Sequence, residues 1–413
     1  MPKKLTKKQK KKLNKFALSN WKVIVVLLII IVLFAVFAYY MGWIDLLINK
    51  FRDDDDGGYS TAGGHVTEVN SFGSMQVNFL DIGQGDCIII ELPDGKNMII
   101  DSGDNNADQK VIADFTKANN ITTFDYLLLT HQDEDHVGNM DWVFENYSVK
   151  YVFRPNVYSD DPISSGVPES FNPVITDPNA KISTTEEYAK FIVSAYNEGC
   201  TTEIVNKDSD FKNTLKCGEE TLDYVFNFLT PTAEKSNVHY KINNNYSPIL
   251  MLEYSGRRVM FNGDAETAVL NEYVDAYGSQ YNVDVYKVGH HGSSNATSSK
   301  YLSAIDPEYA VIQCGLGNKH DHPEKSVINM LLGHDSNMNI YRNDTNGNIT
   351  LTISASGEMS WSFDNRDMSN NHKSGPELVE IMAQVLNISK QDTLEDILKL
   401  LEFVDTKKKI VVL

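Results

Sequence analysis

Cysteine is scarce. Four residues, Cys87, Cys200, Cys217 and Cys314, are scattered through 413, with no C-x-x-C spacing. That excludes a zinc ribbon, a thioredoxin-type redox motif and a disulfide framework, and leaves only a Cys200–Cys217 bridge open for an oxidising compartment. No internal repeat is evident, so a solenoid is not indicated. There is one long apolar run, too few for a channel made of many spans. Cationic side chains thin out after the first fifty residues. Residues 1–52 hold eleven Lys and Arg against one acid, Asp45, a balance of +10; the whole chain stands at −19, which leaves about −29 for the rest. A surface of that sign repels a polyanion and gains little from counterion release.

What is present is ordinary for a folded protein: 42% hydrophobic residues support a sizeable core. The apolar run VIVVLLIIIVLFAVFAYY begins at Val23 and continues without a charge to Ile44. That is enough to cross a bilayer core of ~30 Å. Trp21 at one end and Tyr39, Tyr40 and Trp43 at the other stand where interface aromatics do. No small-x-small cleavage site follows, so the run reads as a signal anchor and not as a cleaved leader. By the positive-inside rule residues 1–22 are a basic cytoplasmic tail, 23–44 a single span in the lipid bilayer, and the bulk of the chain is extracellular. Residues 45–74, in which the run Asp53–Asp56 is followed by Gly57-Gly58, read as a polar linker.

From Met75 onward, short apolar runs alternate with turn residues. Strands are expected at Met75–Leu80, Cys87–Leu92, Asn97–Asp101 and Tyr126–Thr130, with a helix over Lys110–Asn119. Further strands are expected at Glu220–Leu229, Ile249–Tyr254, Arg258–Asn262, Val283–Val288 and Tyr309–Gln313. Helices are expected over Thr184–Glu198, Ala265–Tyr277 and Pro323–Leu332. Strands leading into helices predict an α/β domain over 75–365, layered αββα. Beyond it, Glu377–Leu386 and Thr393–Val404 read as amphipathic helices of a C-terminal appendage, residues 376–413.

The chemistry concentrates in Thr130-His131-Gln132-Asp133-Glu134-Asp135-His136-Val137-Gly138-Asn139. His131, Asp133, Asp135 and His136 fall within six residues, directly after an apolar strand. A sharp loop there points several side chains at one spot, and carboxylate and imidazole are the groups that bind divalent cations at neutral pH. Gly138 lets the following helix start close to that spot.

This segment resembles the H-x-H-x-D-H signature of the metallo-β-lactamase superfamily, with Asp133 where the second His usually stands. The H-x-D-x-D-H form is similar to the extracellular domain of the ComEC/Rec2 DNA-uptake family. The order of further motifs agrees: Phe79-Leu80-Asp81-Ile82-Gly83-Gln84-Gly85-Asp86, Ile100-Asp101-Ser102-Gly103, Asn244-Asn245-Tyr246-Ser247, Asn262-Gly263-Asp264-Ala265-Glu266, Lys287-Val288-Gly289-His290-His291-Gly292-Ser293, His320-Asp321-His322-Pro323-Glu324 and Asn343-Asp344-Thr345-Asn346-Gly347. The resemblance implies two divalent metal ions. His131 and Asp133 would hold one, Asp135 and His136 the other; Asp264 would bridge them and His290 complete the second. Asn244-Asn245 stand where a further His is usual, so the set is richer in oxygen donors, which brings Mn²⁺ level with Zn²⁺. Asp86 and Asp101 are expected to orient ligand histidines. Asp135 and His322 are expected to be catalytic, His322 as an acid or phosphate contact, with Asn245 and Ser293 beside the substrate. His291 and His320 read as surface residues.

The expected function is a membrane-anchored extracellular metal-dependent hydrolase. It would be a phosphodiesterase or nuclease in which a metal-bound water attacks a phosphodiester clamped between two ions. DNA is the substrate the resemblance suggests, and Lys287, Lys300 and Lys319 are the cations available to receive it. Two alternatives stand beside it: a phosphorylcholine esterase-like hydrolase of cell-wall phosphodiesters, and a non-catalytic surface interaction module. No protein partner is indicated.

Overall fold

The computed structural model describes residues 66–385 apart from 105, 174–181, 184 and 235–236. The chain divides into residues 1–59 and 60–413. The expected tail, span and most of the linker, and the helix expected at Thr393–Val404, lie outside the described residues. Among the described residues no helix is long and apolar enough to cross a membrane.

Two eight-stranded sheets form the core of the second unit. One runs in the order Val66–Glu68, Phe211–Cys217, Glu220–Phe228, Leu250–Tyr254, Arg257–Phe261, Val285–Lys287, Tyr309–Ile312, Asn339–Arg342. The other runs Met359–Phe363, Ile349–Ile353, Met75–Phe79, Ile88–Glu91, Asn97–Ile100, Thr123–Leu128, Ser148–Arg154, Thr201–Ile204. In each sheet antiparallel strands give way to a parallel run. Arg257–Phe261 through Asn339–Arg342 are parallel in the first, and Asn97–Ile100 through Thr201–Ile204 in the second.

The alternation of side chains along each strand sorts the core into layers. Met98 and Ile100 face a central cluster shared with Phe226, Leu252, Val285 and Leu351 of both sheets. Ile99, between them, faces the other way, into a cluster with Ile112 and Phe191 of the helices Asn106–Ala118 and Glu186–Glu198. On the outer face of the first sheet, Met260 and Tyr286 pack with Val269, Leu302 and Val327 of the helices Thr267–Tyr277, Ser299–Ile305 and Lys325–His334. Helices thus cover both outer faces, as parallel strands buried on two sides require.

The structure adds elements the pattern hid. Phe211–Cys217 reads FKNTLKC, and its polar residues obscure a strand whose Leu215 is fully buried. Val66–Glu68, within the stretch read as a linker, pairs in parallel with Thr214–Lys216. Residues 364–385 run back over the unit, with Asn371, Ser374 and Leu378 buried, so the helix Gly375–Val385 is seated on it. Cys200 and Cys217 are free thiols; Cys200 Sγ lies against Ala195 O and Cys217 Sγ against Asn70 O.

Phe226 joins the two sheets, with ring centroids 5.3 Å from Tyr126 and 5.7 Å from Phe211. Phe226→Ala removes a fully buried ring at that junction and is expected to cost about 3–5 kcal/mol. Urea unfolding measures it; a loss under about 1 kcal/mol would contradict this account of the core.

Candidate metal centre

The parallel strands of both sheets deliver the site. Asp101 follows Asn97–Ile100 and His131 follows Thr123–Leu128; Asp264 follows Arg257–Phe261 and His290-His291 follow Val285–Lys287. The carboxyl ends of parallel strands are where such sheets place ligand-binding groups. Two glycines let the loops meet. A Cβ on Gly138 would strike the carbonyls of Asp104 and Glu134, and one on Gly85, at φ 137°, would strike that of Asp135.

Four imidazoles surround the Asp264 carboxylate, each with Nε2 inward. His136 Nε2 lies 3.3 Å from Asp264 Oδ1; His291, His290 and His131 lie 3.5, 3.7 and 3.9 Å from Oδ2. Each Nδ1 is occupied behind the site. Asp101 Oδ2 holds His136 Nδ1 at 2.8 Å. The hydroxyls of Thr130 and Ser247 flank His131 Nδ1 at 3.1 and 3.3 Å. Gln313 O accepts from His291 Nδ1 at 3.0 Å, with Asp86 Oδ1 at 3.3 Å. Asn244 Nδ2 and Glu266 Oε1 lie 3.2 and 3.6 Å from His290 Nδ1. Fixing one ring nitrogen in this way presents the other as a ligand.

The remaining carboxylates close the ring. Asp133 Oδ2 is 3.7 Å from His131 Nε2, while its Oδ1 accepts from Asn243 Nδ2 at 2.7 Å. Asp135 Oδ2 is 3.2 Å from His291 Nε2 and 4.0 Å from His136 Nε2. Among the described residues three groups have ligand atoms all within 4.8 Å of one another: His131, His136 and Asp264; Asp135, His136 and His291; and, with His136 Nδ1 already held by Asp101, the set Asp86, Asp101 and His136. His291, read from the sequence as a surface residue, is therefore the imidazole gathered with Asp135 and His136. It is 1% exposed. His290 sits beside it facing Asp264, outside that group. Both histidines have left-handed backbones, φ 47° and 54°, which is strain a non-glycine residue rarely bears. The turn they make sends two consecutive rings inward.

Other expected residues sit differently. Asn245 does not reach the site opening: it is buried, and its Oδ1 accepts the Glu266 N–H at 3.0 Å. Ser293 closes the histidine turn, its N–H donating to His290 O. Lys287 is fully buried on Asp86 Oδ2 at 2.8 Å and so is not available to a polyanion, while Lys300 sits on the surface in an exposed pair with Asp275. His322 is 6% exposed, with its ring centroid 5.4 Å from His290 and 6.4 Å from His291. Its Nδ1 is buried without a partner. Burial, with His291 and His290, lowers it to about 4, so it is neutral at neutral pH.

The residues fit divalent ions. His131 Nε2, His136 Nε2, His291 Nε2 and Asp264 Oδ1 are buried with no hydrogen-bond partner, and all converge. Such orphaned atoms each cost free energy unless something binds them. Burial works against protonating His136, yet Asp264, Asp101 and Asp135 raise it well above its ordinary value. His291 is likewise pushed up to about 10, against its burial, by Asp264, Asp135 and Asp86. Burial and His136 lower His131. Asp264 stays far below the carboxylate range in spite of burial, because His136, His291 and His290 face it. The cluster demands positive charge, and its imidazole and carboxylate donors, with no thiolate among them, suit Zn²⁺ or Mn²⁺.

Residues 80–159 match the metallo-β-lactamase superfamily. The chain is ComEC-like in its similarity to curated proteins. It is 26% identical over 290 residues to ComE operon protein 3 of Bacillus subtilis, covering 66% of this chain and 32% of that one. It is 24% identical over 284 residues to competence protein ComA of Neisseria gonorrhoeae, covering 68% and 33%. The chain thus spans about a third of the length of these relatives. Among solved structures it is similar to CmlA, a diiron β-hydroxylase from Streptomyces venezuelae, at 14% identity and TM-score 0.37, covering 69% of this chain and 54% of that one.

Two predictions follow from the geometry. Asp101→Asn keeps the shape but weakens the hold on His136 Nδ1; metal affinity is expected to fall about 10–100-fold, measured by chelator competition, and unchanged affinity would remove Asp101 from the account. Asp81 stands apart from the ligands and is raised to about 6 by burial and by Asp344 and Asp364, against a hydrogen bond from Gly83. Its folded pKa exceeds its ordinary 3.8, so its contribution to stability is full below 3.8 and is lost as pH rises through about 6. Asp81→Asn should flatten stability across that window and raise the urea midpoint at neutral pH; an unaltered profile would contradict the assignment.

Proposed function

We propose that this chain is a metal-dependent hydrolase of phosphodiester bonds, carried on the outer face of a membrane by residues 23–44. The observation that supports it most is the convergence of four inward Nε2 atoms and three carboxylates on one buried spot. His131 and Asp133 would hold one ion and Asp135, His136 and His291 the other, with Asp264 between them and His290 alongside. Bound there, divalent ions supply Lewis acidity and activate water for attack on phosphorus.

The chain's own residues do the rest. Asp101, Thr130, Ser247 and Gln313 keep the imidazoles aimed. His322, neutral and with one nitrogen unpartnered, is the side chain that contacts a phosphoryl or leaving-group oxygen. Similarity to a competence protein supports nucleic acid as the substrate. A second reading, a small phosphodiester such as a choline ester, draws on the acidic balance and on the burial of Lys287 against Asp86.

The test uses the full chain, loaded with Mn²⁺ or Zn²⁺, on single-stranded DNA and on a choline phosphodiester. Cleavage of one or both is expected, with Asp264→Ala lowering it by about 1000-fold or more. Equal cleavage by Asp264→Ala would assign the activity to a contaminant. No cleavage and no bound metal would return the chain to a non-catalytic surface module.

A further inference from the structure

The segment that follows the last strand reaches the site from outside. Residues 364–374 are pinned across the end of the first sheet. Asn371, 1% exposed, donates to Ile340 O at 2.7 Å and to Asn346 Oδ1 at 2.9 Å, and accepts from Thr345 Oγ1 at 2.8 Å. Arg342, fully buried and ion-paired with Asp344, donates to Lys373 O. Ser374 and Glu377 then form a capping box: the carboxylate accepts the Ser374 N–H and O–H at 2.9 and 3.0 Å, and starts the helix Gly375–Val385.

That helix start rests on the loop carrying His322. Gly375 N–H donates to Pro323 O at 2.9 Å, and Lys325 pairs with Glu377. Gly375 is packed so closely that a Cβ there would collide with the His322 carbonyl. On its other side the same loop bears on the histidine turn. A Cβ on Gly292 would collide with Pro323, and Glu324 N–H donates to Gly292 O at 2.9 Å. Gly292, Pro323 and Gly375 therefore form one stack of close contacts. It runs from the turn holding His290 and His291, past His322, to the C-terminal segment.

We propose that residues 364–385 are a positioning strap for His322 and the histidine turn, with Asn371 and Gly375 as its positioning residues. The strap touches no ligand atom; it acts by fixing where three imidazoles stand. Packed interiors transmit displacements of a few tenths of an ångström, and an error of about 1 Å at a reacting group costs about 100-fold in rate. The proposal rests on the hydrolase reading for its kinetic consequence, but not for its structural one.

The test compares wild type, Gly375→Ala, Asn371→Ala and His322→Ala as full-length, Zn²⁺-loaded chains, with each strap change also made in the His322→Ala background. Either strap change should lower kcat about 10–100-fold with KM and metal content nearly unchanged, and add little where His322 is already absent. Hydrogen exchange of residues 287–294 and 315–326 should quicken in both strap variants. Asn371→Ala carries the test if Gly375→Ala does not fold. Full multiplicative losses on top of His322→Ala, or unchanged exchange in these two segments, would overturn the strap. If wild type is itself inactive, the hydrolase reading fails, and exchange alone then judges the strap.

Discussion

One carboxylate with too many imidazoles around it is the constraint on which this molecule turns. Asp264 is buried, four Nε2 atoms lie within 3.9 Å of it, and protons alone satisfy the set poorly. Charging His136 places a cation against His131, whose ring centroid is 4.2 Å away. Leaving the rings neutral orphans their buried nitrogens. A divalent ion resolves both conflicts, because it takes several lone pairs at once and balances Asp264, Asp133 and Asp135.

Much of the surrounding structure is the means of holding that arrangement. The two sheets bring their parallel runs together so that loops from both end at one place. Behind each imidazole stands a group of different chemistry: the Asp101 carboxylate, the Thr130 and Ser247 hydroxyls, the Gln313 carbonyl, and the Asn244 amide with Glu266. At the rim, three left-handed residues, Asp101, His290 and His291, aim side chains that ordinary turns would send elsewhere. The buried pair Lys287–Asp86 ties the strand before the histidine turn to the loop after the second strand, and keeps an oxygen beside His291.

How much of this could be read in the sequence depended on distance along the chain. The cluster His131, Asp133, Asp135 and His136 was legible because its members are neighbours after an apolar strand. Asp264 was legible through its motif. Which of His290 and His291 gathers with Asp135 was not, since the choice is made by two positive φ angles that adjacent identical residues do not reveal. Lys287 looked like a free cation because its partner, Asp86, lies 201 residues away. Asn245 looked like a substrate contact, yet it holds a backbone N–H. Strand order across both sheets was invisible for the same reason, and Phe211–Cys217 was masked by its two exposed lysines and by Asn213, a polar residue that is buried with its amide donating to Asp94. The seating of residues 364–385 depends on Asn371 and Gly375, two polar or small residues that carry no apolar pattern.

The central claim is that this ring of donors is a pair of adjacent metal sites. X-ray absorption at the metal edge of the Mn²⁺- or Zn²⁺-loaded chain tests it most directly. The account predicts a first shell of nitrogen and oxygen without sulfur, together with a metal–metal vector of about 3.5–4 Å. A sulfur-containing shell, or a single isolated ion with six water-like oxygens, would contradict it.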